Sequence, residues 1–202
     1  CSSDLAMLLF GVNFNLYYLL LARKFKQVFK NEELLWYGGI VAVAVVLICI
    51  NVRSAYEGFG FMLRDVFFTV SSIVTTTGYS TADFGQWPLF SHIILLLLMI
   101  FGAMAGSTAG GLKVSRVAIY FKTSIQSIRH SISPNRATPV NFEGKALSDS
   151  QQRSLSRYLY VYLAVFAGLL LIVSLENTTL ITSFSAVAAT FNNIGPGLGA
   201  VG

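Results

Sequence analysis

The feature that most constrains this chain is a series of long apolar runs, nearly free of charge, separated by short basic clusters. Leu5–Ala22, Leu34–Ile50, Pro88–Phe121 and Leu155–Leu175 each approach or exceed the span of a bilayer, which takes about 20 apolar residues at 1.5 Å each. Trp36 and Tyr37 open the second run, and Tyr158, Tyr160 and Tyr162 lie at the start of the last, at depths suited to a headgroup belt. Only 11% of the 202 residues are charged while 54% are hydrophobic, against roughly 25% charged in soluble domains. The class is an all-α membrane protein.

The net charge of +5 invites a nucleic-acid reading that the charge distribution rejects. Lys and Arg gather in Arg23–Lys30 and in Lys113–Arg157, and placing both on the cytoplasmic side leaves only Arg53 and Arg64 outside. Glu57, Asp65, Asp83 and Glu176 then fall on the outer side. This topology closes only if 61–79 and 178–197 dip in from outside and return, so both are predicted to be re-entrant. Each is too short and too rich in small polar residues to span, and each ends at glycine: Thr75-Thr76-Thr77-Gly78-Tyr79 and Asn193-Ile194-Gly195-Pro196-Gly197.

Pro88–Phe121 is longer than one crossing needs, and Gly102, Gly106, Gly110 and Gly111 fall within ten of its residues. Glycine costs a helix about 1 kcal/mol relative to Ala, so a break is expected near mid-membrane, where irregular backbone survives only beside water or packed protein. The stretch 102–113 reads either as a mobile loop or as a close helix crossing of small residues. Gly106–Gly111 has the spacing of a phosphate-binding loop, but Leu112 stands where that motif needs Lys. Beyond it, 122–153 reads as a polar cytoplasmic linker carrying Arg129, Arg136 and Lys145, with a small hairpin turning at Glu143-Gly144.

An internal repeat relates the two re-entrant segments. An offset of 117 residues sets Phe67 on Phe184, Val70 on Val187, and Thr76-Thr77-Gly78-Tyr79 on Asn193-Ile194-Gly195-Pro196. A helix entering from outside aims the negative end of its dipole at the membrane centre, which favours a cation. A short extended stretch beyond it can aim carbonyl oxygens inward to replace an ion's hydration shell. That task needs glycine and no charged side chain.

These motifs together resemble the Trk/Ktr/HKT superfamily of K⁺ transporters, with the bacterial Trk-type uptake subunits the nearest in kind. Thr76-Thr77-Gly78-Tyr79 is similar to the potassium-channel filter, Asn193-Ile194-Gly195-Pro196 holds the same register, and the mid-membrane Gly-Ser-Thr-Ala-Gly-Gly-Leu-Lys lies between them. The resemblance implies span–pore helix–span repeats around one K⁺ pore. Residues 1–33 would be the last span of a preceding repeat with its linker. Residues 34–121 would form a complete repeat, with filter 75–80 and intramembrane gate loop 102–113, namely Gly106, Ser107, Thr108, Ala109, Gly110, Gly111 and Lys113. After linker 122–153, 154–202 would begin a final repeat. K⁺ is then the substrate, held by backbone carbonyls of the eight filter residues, with no covalently bound cofactor. The resemblance further implies that the rest of the same polypeptide completes the pore, a homodimer, a cytosolic nucleotide-binding regulatory subunit, and the bacterial inner membrane with its lipid as the setting.

The alternative is a secondary transporter built on broken helices, which calls for helix N-termini and buried charges at the site; the spans are read as carrying no such charges. Lys113 is either an electrostatic part of the gate or a side chain reaching for the inner interface, and Arg116 is read as an interfacial anchor. Asp65 and Asp83 read as solvated or helix-start acids. Cys49 reads as a buried thiol and Cys1 suggests no disulfide. His92 and His130 are isolated, and no nucleophile–base pair or metal site is visible, so no enzyme is expected. The chain is expected to be a piece of a longer polypeptide.

Overall fold

The computed structural model describes residues 2–132 and 140–198. Cys1, Arg136, the His130 side chain and residues 199–202 lie outside that description. The first apolar run folds as two helices, α1 (Ser2–Phe10) and α2 (Phe14–Leu21), bent by 100°. It is therefore not the straight span its hydropathy suggests. The bend sits at Gly11, where a Cβ would collide with the Tyr37 hydroxyl and stand 2.9 Å from Thr75 Cγ2. Asn13 then restarts the helix, its side chain accepting the Asn15 amide at 2.9 Å.

After the short α3 (Phe25–Phe29) in the basic cluster, α4 (Glu32–Val52) starts from an Asn31 cap whose side chain accepts the Leu34 amide at 2.8 Å. With its trailing turn it is one of two helices, among the described residues, long and apolar enough to cross a membrane. The other runs from Ser150 to Glu176. One stripe of α4, including Val41, Ala44, Val45, Ile48 and Val52, is buried, while Val43, Val46 and Ile50 are exposed on the other side. A helix that is apolar all round and covered on one side only suits lipid or further protein. Tyr37 is 4% exposed and donates to the Leu8 carbonyl at 3.2 Å; it is a core residue and not part of an interfacial belt.

The re-entrant prediction corresponds to α5 (Phe59–Val74), 16 residues and so shorter than the about 20 a crossing takes, packed against α1, α4 and α6 (Leu89–Ile100). Its last turns, Thr69 to Val74, are all buried. Thr69 and Ser71 tolerate this because each hydroxyl donates back to a carbonyl of its own helix, those of Asp65 at 2.8 Å and Phe67 at 2.6 Å. Residues 101–113 break the next run, and α7 (Val114–Ile132) resumes it. This helix continues eleven residues past Phe121 into the stretch read as linker; Lys122, Ser124 and Arg129 made that stretch polar without making it irregular. A two-stranded hairpin follows, β1 (Asn141–Phe142) and β2 (Lys145–Ala146), turning at Glu143 and Gly144 as expected. The long α8 (Asp149–Val173), opened by a Ser148–Gln151 capping box, packs on the short apolar α9 (Leu180–Phe191), which also meets α6.

Candidate functional site: two matched loops and the segment beneath them

The two re-entrant helices end in the same way. After α5, the Thr77 amide bonds to the Ser72 carbonyl at 2.9 Å and the Thr76 amide to Ile73 at 3.1 Å. After α9, Ile194 bonds to Ala189 at 2.7 Å and Asn193 to Thr190 at 3.2 Å. Both are Schellman endings, in which the residue past the cap takes the left-handed conformation. Thr76 has φ 54° and Asn193 φ 59°; Gly78 and Gly195 follow at 78° and 113°. Every one of these pairs is separated by 117 residues, so the repeat seen faintly in side chains is written clearly in the backbone. Asn adopts positive φ readily, but a β-branched Thr does so at a real steric cost.

The loops also meet. A Cβ on Gly78 would collide with the carbonyl oxygen of Ile194 and stand 3.2 Å from Pro196 Cδ. Here glycine is required twice over, by its φ and by the neighbouring chain. Among the described residues, no hydrogen-bond donor reaches the carbonyls of Thr76, Thr77, Gly78 and Tyr79, or those of Asn193, Ile194, Gly195 and Pro196. Thr77, Tyr79, Asn193 and Gly195 are exposed, so carbonyls in these two touching loops are open to water or to a ligand. The turn after the first loop, Ser80–Gln86, and the end of the second, Pro196–Leu198, border a cavity of about 680 Å³. Asp83 at its rim is used locally, accepting from the Gly85 amide at 3.1 Å and the Gln86 side chain at 2.9 Å.

Segment 101–113 packs against both loops and is fastened on several sides. Its ends are zipped in a short parallel bridge, Gly102 to Leu112 at 2.8 Å and Leu112 to Ile100 at 3.1 Å, extended by Val114 to Ala103 at 3.1 Å. The Gly110 amide donates to Thr76 Oγ1 at 3.0 Å, which ties the segment to the first loop. A Cβ on Gly110 would overlap the Asn192 carbonyl oxygen, which places the second loop equally near. Met104 donates to the Gly11 carbonyl at 3.1 Å and Phe14 to that of Gly106 at 3.4 Å, joining the segment to the α1–α2 bend. Lys113 folds its ammonium onto the Ala109 carbonyl. Gly106 and Gly111 carry φ of 74° and 71°.

This arrangement has a close counterpart. The potassium transporter TrkH from Vibrio parahaemolyticus superposes with a TM-score of 0.89 at 28% identity, covering 98% of this chain and 43% of that one. Residues 38–201 match the TrkH family, described as a cation transport protein. The chain belongs to the TrkH family. The Trk system potassium uptake protein TrkH of Salmonella typhimurium is 32% identical over 199 residues, covering 96% of this chain and 41% of that protein. TrkG of Escherichia coli, also a Trk system potassium uptake protein, is 33% identical over 196 residues. The chain thus spans about two fifths of the length of these family members.

Within this family member the fold brings all eight loop residues and Gly106–Lys113 into one contiguous region. Two supporting residues, Asn192 and Glu33, were not singled out from sequence. Asn192 is 1% exposed and accepts the Tyr162 hydroxyl at 2.8 Å while its amide donates to Ala188 at 3.0 Å, bracing the second loop against α8. Glu33 is 3% exposed, which corrects the reading that the spans hold no buried charge. Its Oε1 accepts the Ala105 amide at 2.7 Å. The only cue for it was a second acid, next to Glu32, at the mouth of an apolar run. Arg116 does not reach for the interface alone, since its guanidinium lies 3.8 Å from the centre of the Tyr158 ring.

Proposed function

We propose that this chain is part of the pore-forming subunit of a potassium uptake system. K⁺ passes through a filter of backbone carbonyls from Thr76–Tyr79 and Asn193–Pro196, and segment 102–113 gates it from beneath. The observation that carries this reading is the pair of matched loops in contact at Gly78 and Ile194, with their carbonyls unpaired. Carbonyl oxygens presented by stiff, strained backbone can replace a monovalent ion's water without a fixed charge. The C-terminal ends of α5 and α9, which both lead into the loops, add a negative potential there. The names of the relatives support potassium as the ion. The secondary-transporter alternative calls for helix N-termini at the site, and the two helices that lead into the loops approach by their C-termini.

On this reading 1–33 ends one repeat, 34–121 is a complete repeat, 122–153 connects it to the next through the end of α7 and the hairpin, and 154–202 opens another. The remaining filter quarters come from the rest of the polypeptide. The assembly is a homodimer in the bacterial inner membrane, controlled by a cytosolic nucleotide-binding subunit, without enzymatic activity. The test is Gly78→Ser in the full-length protein, with K⁺ and Na⁺ fluxes measured in proteoliposomes. A side chain there meets Ile194 and must take a left-handed φ, so K⁺ preference is expected to fall at least tenfold. Unchanged selectivity and rate would overturn the reading.

A further inference from the structure

Glu33 sits in the first turn of α4, where an acid ordinarily faces water and complements its own helix dipole. Its neighbour Glu32 does this, pairing with Lys122 at the surface. Glu33 instead turns inward and is almost wholly buried. One oxygen, Oε1, accepts from the Ala105 amide at 2.7 Å and from the Ser115 amide at 3.2 Å. Ala105 lies inside the gate segment, and Ser115 is in the first turn of α7. That turn has no acid of its own, and the residue just before it, Lys113, carries a side chain that can only donate. Glu33 therefore caps α7 from a different helix and holds the gate segment with the same atom. A buried carboxylate is tolerated only when such donors surround it.

The same turn of α4 is gripped from the cytoplasmic side by the hairpin. Asn31 Nδ2 donates to the Glu143 carboxylate at 2.6 Å, and the Glu143 amide donates to Glu32 Oε2 at 3.2 Å. Lys122, paired with Glu32, also donates to the Asn141 carbonyl at 2.8 Å. Three consecutive residues thus bind the hairpin (Asn31, Glu32) and the gate segment (Glu33). From there the Gly110–Thr76 bond reaches the first loop.

We infer that Glu33 is a latch that keeps the gate segment seated under the loops, and that the hairpin at 141–146 sets the latch from the cytoplasm. The inference rests on the proposed gating role of 102–113. It makes Glu33 a positioning residue, since it touches the gate and not the ion path.

The experiment uses the full-length protein in proteoliposomes. Basal Rb⁺ flux and the K⁺ over Na⁺ ratio are measured for Glu33→Ala, Glu33→Gln and Lys122→Met. Separately, the rate at which a thiol reagent modifies Thr108→Cys in a background with Cys1 and Cys49 both replaced by Ser is measured with and without each change; Thr108 is an exposed residue of the segment. Glu33→Ala is expected to raise flux and labelling about tenfold, a shift of about 1.4 kcal/mol, with the ion ratio unchanged. Glu33→Gln keeps an oxygen acceptor and is expected to stay within about threefold of the parent. Lys122→Met loosens the hairpin and is expected to raise both readouts about threefold, because an exposed pair contributes little. Flux and labelling unchanged in Glu33→Ala, or a lost flux with unchanged labelling, would overturn the latch. If Glu33→Ala does not fold, an unaltered Lys122→Met does so. A latch that fails while Gly78→Ser still changes selectivity leaves the filter reading intact; the reverse result removes the filter and leaves the latch.

Discussion

Gly110→Ala isolates the contact between segment 101–113, the proposed gate, and the two loops. Gly110 is not in a left-handed conformation, so the added methyl brings no backbone penalty of that kind. It brings a collision: the new Cβ would stand well inside 3.0 Å of the Asn192 carbonyl oxygen. Ordinary contact lies near 3.5 Å or beyond, so the segment must retreat by about 1 Å. That retreat stretches the 3.0 Å bond from the Gly110 amide to Thr76 Oγ1 past useful length. Overpacking of this kind costs about 1–3 kcal/mol, and the lost bond about 0.5–1.5 kcal/mol. Together, about 2–4 kcal/mol shifts the seated–unseated balance by about 30- to 1000-fold. In the full-length protein, Rb⁺ flux into proteoliposomes should rise in proportion to the unseated fraction, with K⁺ still preferred over Na⁺. A flux within twofold of the parent would show that the segment does not press on the loops. A flux that falls would show that the seated position is not the shut one.

Two further substitutions probe the supports. Thr76→Val keeps the shape and the positive φ but deletes the acceptor for Gly110, so flux should rise about fivefold, matching about 1 kcal/mol; no change would mean that this bond does not hold the gate. Tyr162→Phe removes the donor to Asn192, leaving a buried oxygen unpaired at about 1–2 kcal/mol. A lower thermal midpoint in detergent and a weaker K⁺ preference are expected, and an unchanged midpoint would refute the brace.

The parts of this site that were legible in the sequence are those encoded locally. Glycine at 78 and 195 and the cluster from Gly102 to Gly111 announce backbone that no helix tolerates, and short small-residue segments between spans announce re-entry. Glu143-Gly144 predicted its own hairpin. Hydropathy misled where polarity and irregularity part company: α7 runs to Ile132 because a helix surfacing into water becomes polar on its exposed face. It misled again at Gly11, where the apolar run continues through a 100° bend. Gly11 and Asn13 were visible cues, but the bend is stabilised by Tyr37, Thr75 and Met104, all remote in sequence. Glu33 and Tyr162 were hidden for the same reason, since their partners lie 30 to 82 residues away. A side chain's composition class says nothing about such pairings.

The central claim concerns unpaired carbonyls that take the place of water around a monovalent cation. Anomalous diffraction from the full-length protein soaked in Rb⁺ or Tl⁺ tests it directly. Peaks are expected within direct coordination distance of the Thr76–Tyr79 and Asn193–Pro196 carbonyls. Peaks confined to carboxylates such as Asp83, with none between the two loops, would contradict it.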